Sequence, residues 1–111
     1  MAIDHAATKE ALERIREDGS DLERPLSMDF FVAVPDERSG LAVAARVEAM
    51  GFEASVEEDP ETRTWTCYCT MTLVPTLEAV LEIEARLQAV GEQVGGYADG
   101  FGTYGNADDG D

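Results

Sequence analysis

The sequence predicts an α+β domain, an antiparallel sheet buried on one face only with its helices packed against that face. Residues 64–74 alternate without a break, with Trp65, Cys67, Cys69, Met71 and Leu73 on one side and Thr64, Thr66, Tyr68, Thr70 and Thr72 on the other. Alternate side chains of a strand point to opposite faces. One row is apolar and the other is hydroxyl-rich with a single aromatic ring, as in a sheet covered on one side. Residues 77–94 place Leu77, Val80, Ile83, Leu87, Val90 and Val94 at spacings of three and four, the signature of an amphipathic helix that supplies such a cover.

The remaining elements follow in order. Residues 4–18 read as a helix with Asp4 as N-cap, a weak stripe of Ala7, Ala11 and Ile15, and Glu10 four residues before Arg14. Asp18-Gly19-Ser20-Asp21 is a run of helix-stop and turn formers. Residues 26–34 alternate again, Leu26, Met28, Phe30, Val32 and Val34 against Ser27, Asp29, Phe31 and Ala33. Pro35-Asp36 ends that strand and starts a helix over 37–50, with Val43, Ala44, Val47 and Met50 inward and Gly51 as its stop. Residues 52–58 form a strand with Phe52, Ala54 and Val56 inward and Glu53, Ser55 and Glu57 outward. Asp59-Pro60-Glu61-Thr62 reads as a type I turn closing a hairpin onto the 64–74 strand. Pro75 ends that strand, Thr76 caps the 77–94 helix, and Gly95-Gly96 ends it.

Residues 97–104 read as a short glycine-punctuated strand or loop and 106–111 as an acidic end, with 1–105 expected as a single domain. After the first helix the order is strand-helix-strand-strand-helix-strand. This is the β-α-β-β-α-β order of ferredoxin-like domains, preceded here by an N-terminal helix.

Composition narrows the function. The 111 residues carry 24 Asp and Glu against 8 Lys and Arg, a net charge of -16. Phosphate contacts need clustered Lys and Arg, so this balance disfavours general nucleic-acid binding and suits a basic partner, or simply a soluble surface. The start shows no basic stretch followed by an apolar run, and no 18-residue apolar segment occurs, so a cytoplasmic protein is expected without membrane contact.

Catalytic and metal signals are weak. His5 is the single histidine and sits near the N-terminus, where a surface position is the simpler account than a partner for a nucleophile. Cys67 and Cys69 lie in an apolar row with no third cysteine, so core packing is the simpler account than a metal site, and their spacing does not suit an unstrained disulfide. No Lys-Ser/Thr follows Gly95-Gly96 or Gly100-Phe101-Gly102, and no alternating acidic calcium loop is present. No catalytic residue, metal ligand or cofactor is therefore expected. Phe31 and Tyr68 project together from the open side of the sheet. That face is expected either to be covered by the N-terminal helix or C-terminal segment, or to bind a partner; stacking with single-stranded RNA is opposed by the charge.

Two strings remain: Glu17-Asp18-Gly19-Ser20-Asp21 after the first helix, and Tyr97-Ala98-Asp99-Gly100-Phe101-Gly102-Thr103-Tyr104 near the end. The ordered pair resembles the bacterial regulator of ribonuclease E activity B family, RraB, whose pattern has an E-D-G-S-D turn and a Y-D-G-[WF]-G-T terminal motif; Ala98 is an extra residue in the latter. The resemblance spans about residues 10–105. It implies a non-catalytic inhibitor that binds the basic, arginine-rich C-terminal scaffold region of ribonuclease E and modulates RNA decay, with no direct nucleic-acid contact. Asp18, Asp21, Asp99, Phe101 and Tyr104 are then the expected partner-binding residues. A turn-forming role for Asp18, Ser20, Asp99 and the glycines is the structural counterpart. The alternative is a small binding module, unrelated to RNA decay, that takes a peptide or small ligand on the open sheet face at Phe31 and Tyr68.

Overall fold

β3 (Trp65–Leu73) and β1 (Leu26–Val34) form the centre of a four-stranded antiparallel sheet. They pair nine residues against nine, from Leu26 opposite Leu73 to Val34 opposite Trp65. β2 (Glu53–Glu58) takes the free edge of β3 and β4 (Tyr97–Thr103) the free edge of β1, giving the order β2-β3-β1-β4. The computed structural model describes residues 5–19 and 21–103. The expected cap Asp4 and the 106–111 end lie outside the described residues.

The register places one apolar row against another. Met28, Phe30 and Val32 of β1 face Met71, Cys69 and Cys67 of β3, and of these only Met71 is not fully buried. Phe30 sits at the middle of the core, edge-to-face with Phe52 at 6.2 Å between ring centroids and tilted against Phe101 at 5.8 Å. The Cys67 and Cys69 Sγ atoms are 3.9 Å apart as free thiols, and that contact together with burial holds the Cys69 thiol far above its ordinary value.

Two helices cover this face. α2 (Glu37–Ala49) is capped by Asp36, whose Oδ1 accepts from the Ser39 N–H at 2.8 Å, a bond that holds the carboxyl below its ordinary value. Val43 and Val47 are fully buried beneath it. It ends as the sequence predicts: the Gly51 N–H donates to Glu48 O and the Phe52 N–H to Val47 O, which satisfies two terminal carbonyls and turns Phe52 into the core. α3 (Leu77–Glu92) is capped by Thr76, whose hydroxyl accepts from the Ala79 N–H, and buries Val80, Leu87 and Val90. The turn after α3 passes so close to β1 that a Cβ on Gly96 would lie 2.1 Å from the Ala33 carbonyl oxygen, so only glycine fits there.

α1 (His5–Glu17) packs on α3 and not on the sheet. Thr8 and Leu12 are its buried residues; of the predicted stripe Ala11 and Ile15 are half-buried and Ala7 is exposed. The burial of Thr8 reflects a polar contact that an apolar pattern does not register: the Thr8 hydroxyl donates to Glu84 Oε1 at 2.6 Å across the α1–α3 seam. Gln88, one turn along α3, is also buried; it accepts from the Ala98 N–H at 2.9 Å and donates to Glu92 at 2.7 Å, tying α3 to β4. The hairpin closes over the predicted Asp59–Thr62 turn region: Asp59 N–H donates to Thr64 O, Arg63 N–H donates to Asp59 O, and Arg63 adopts φ 62°.

Burial raises the Glu84 carboxyl above its ordinary value, partly offset by the Thr8 hydrogen bond. A carboxyl that binds its proton more tightly when folded contributes full stability below its unfolded pKa and loses it as pH rises through the folded value. Glu84→Gln keeps an acceptor for Thr8 without the charge. It is expected to stabilise the fold at pH 7 by about 1 kcal/mol, roughly 5 °C in Tm, with the gain vanishing near pH ~4 in thermal melts across pH. A variant less stable than the parent at pH 7 overturns this.

Candidate functional site

The second face of the sheet is built from the opposite parity of the same strands. Across it, Phe31 lies opposite Tyr68, and Tyr68 opposite Ser55; Asp29 lies opposite Thr70, and Thr70 opposite Glu53; Ala33 lies opposite Thr66, and Thr66 opposite Glu57. The Phe31 and Tyr68 rings meet edge-to-face at 5.5 Å between centroids. Thr70 Oγ1 donates to Asp29 Oδ1 at 2.6 Å, which fixes that carboxylate beside the aromatic pair. Neither α1 nor any other described helix lies over this face, since α1 rests on α3. The expectation of a cover by the N-terminal helix is thereby corrected. Any cover by the C-terminal end falls on residues outside those described.

The expected partner-binding residues separate into different environments. Asp18 and Asp21 are exposed on the turn after α1. The Gly19 N–H donates to Arg16 O with φ 107°, so this glycine is a helix stop, and Asp21 Oδ1 accepts from the Glu23 N–H at 2.9 Å, shaping the following turn. Asp99 and Gly100 are the two residues of β4 opposite Phe31 of β1, because Ala98 pairs with Val32 and Phe101 with Phe30. Two residues opposite one make a β-bulge, and Gly100 supplies its positive φ of 106°. Ala98, the extra residue in the terminal motif, is in regular register and half-buried.

The bulge decides the fate of the terminal motif. In a regular strand Tyr97, Asp99 and Phe101 would share a face. Here Tyr97 lies opposite Ala33 on the open side, while Phe101 lies opposite Phe30 on the inner side with its ring against Phe30. Phe101 thus packs its ring against the core from the edge strand and is itself half-buried. Tyr104 lies outside the described residues.

What the sequence pattern does not reveal is the company that Phe31 and Tyr68 keep. Asp29, Glu53 and Glu57 each fall on the outward side of a predicted strand, but only the pairing register assembles them around the two rings. Among the described residues no group of three or more His, Cys, Asp and Glu side chains is placed to hold a metal ion. None of their helices is long and apolar enough to cross a membrane.

The family model for regulator of ribonuclease activity B, RraB, matches residues 5–103, a span that includes both the Asp18-Gly19 turn and the Asp99-Gly100 bulge. The chain belongs to the RraB family. A comparison with curated proteins gave no match. RraB membership marks the chain as one of a family of regulators and implies a ribonuclease as partner.

The two faces make opposite demands on stability. Phe101→Ala is expected to cost about 3 kcal/mol through the cavity left beside Phe30. Tyr68→Ala, which loses one ring contact on the open side, is expected to cost about 1 kcal/mol. Urea unfolding of both variants checks this, and equal losses would mean that Phe101 is not part of the core.

Proposed function

We propose that this protein inhibits ribonuclease E in the cytoplasm by binding the enzyme's basic C-terminal region, without catalysing a reaction itself, and thereby modulates RNA decay. The observation that carries the reading is the RraB match over residues 5–103. Charge supports it: at -16 the chain attracts a basic, disordered segment from a distance and speeds its capture. Asp18, Asp21 and Asp99 are exposed and add to that attraction. Phe101 contributes from beneath by holding the bulge against the core, and Tyr104 completes the motif. The frame is a single domain over 1–105, with a short acidic end at 106–111. The order β2-β3-β1-β4 on a β-α-β-β-α-β chain supports reading it as ferredoxin-like.

The test is a titration of the full chain against the C-terminal region of ribonuclease E from the same organism, at low and moderate salt. Micromolar or tighter binding that weakens as salt rises is expected. The double variant Asp18→Asn, Asp21→Asn is expected to lose roughly threefold in affinity with an unchanged Tm, since the amide oxygen introduced by Asp21→Asn still accepts from the Glu23 N–H. Absence of binding at both salt concentrations would defeat the ribonuclease E reading.

A further inference from the structure

The charges of this protein are sorted by element. Each of its 8 Lys and Arg residues lies on a helix or in a loop; none is on a strand, and neither is His5. The base next to the β3 end of the sheet, Arg63, is paired with Glu58 at 3.1 Å. The open face consequently carries carboxylates alone.

These carboxylates border two adjoining depressions that run along β1 and β3. One, of about 450 Å³, is lined by Phe31, Tyr68, Asp29 and Glu57; the other, of about 330 Å³, by Glu53, and it shares Thr70 with the first. The open-face positions of β1 run from Ser27 to Ala33, roughly 20 Å at the rise of a strand. The trough thus has aromatic rings at its centre, acid on its borders and the length of about six extended residues.

We infer that this open sheet face is a docking surface for an extended polypeptide segment bearing arginines. A guanidinium is planar, so it stacks on an aromatic ring while its N–H groups pair with a neighbouring carboxylate, and Tyr68 with Glu57 or Phe31 with Asp29 offers that combination. Lysine, a compact and strongly hydrated charge, gains less from the rings. Alternate residues of an extended segment face the sheet, so arginines two apart meet successive rows of the trough. A phosphate backbone finds the reverse of what it needs here, since the same rings are bordered by negative charge. The inference rests on the regulator reading for its biological partner, but not for its chemistry.

The test uses the full chain and a fluorescent peptide of about eight residues that alternates arginine with alanine, with its lysine counterpart and a uridine oligonucleotide of similar length as comparisons. By anisotropy the arginine peptide is expected to bind about fivefold more tightly than the lysine peptide, and the oligonucleotide not at all. Tyr68→Ala is expected to weaken the arginine peptide about fivefold, and Glu57→Gln about threefold. Glu13→Gln, which removes the same charge from exposed α1, is expected to leave the affinity unchanged. Should Tyr68→Ala unfold, the contrast between Glu57→Gln and Glu13→Gln decides alone. Equal effects of those two, no effect of a folded Tyr68→Ala, or preference for the oligonucleotide overturns the proposal. Ribonuclease E binding that persists undiminished in Glu57→Gln and Tyr68→Ala overturns the docking face and leaves the regulator reading standing. Face-dependent peptide binding without any ribonuclease E binding does the opposite.

Discussion

The nine-residue register between β1 and β3 is the constraint on which everything else depends. Strand parity has a period of two, so this one alignment decides at once which side chains enter the core and which meet solvent. A slip of β1 by one residue against β3 would put Phe31 under the helices and leave Phe30 in water. The row Met28, Phe30, Val32 against Met71, Cys69, Cys67 is far too apolar for that, and burial at about 25 cal/mol per Å² makes the slipped state costly by many kcal/mol. The polar face inherits its order from the apolar one. Asp29 reaches Thr70, and the two open-side rings meet, because Phe30 and Cys69 are locked behind them.

Much of this is legible in the sequence because period-two and helical patterns are local. The strand over 26–34 and the cap Thr76 stand where the sequence puts them, and the 64–74 strand differs by one residue at each end. The differences share a physical origin in non-local contacts. Thr8, Glu84 and Gln88 are buried polar residues that satisfy each other or a distant backbone N–H, and an apolar stripe does not reveal partners 76 residues apart. Phe101 turns inward because the bulge at Asp99-Gly100 resets strand alternation, which a local period-two pattern does not anticipate. For the candidate site, the residues are visible one by one but their assembly is not, since Glu57, Thr66, Tyr68 and Phe31 come from three strands whose alignment no local pattern states.

The separation of charge follows from the same layered plan. Helices and loops carry every base, where some are held by nearby acids, as Arg86 is by Glu82 at 2.9 Å one turn away. The strands contribute acid, hydroxyl and aromatic groups but no base. A protein with a large negative total thus also has a direction to its field: the helical side is mixed in sign and the sheet side is uniform. Such asymmetry gives a binding partner an orientation as well as an attraction.

The paired thiols of Cys67 and Cys69 give the molecule an internal clock. Both have 0% exposure beneath the helices, and the thiolate, the form that reacts with alkylating reagents, is strongly disfavoured at Cys69. Neither sulfur meets a reagent while the helical layer is seated on the sheet. The rate at which the thiols are consumed in native solution therefore counts how often that layer lifts, a free energy of opening read from the centre of the core. Any ligand that clasps the opposite side of the sheet and stiffens it slows this clock without touching the sulfurs, so the buried side of β3 keeps a chemical record of what happens on its exposed side.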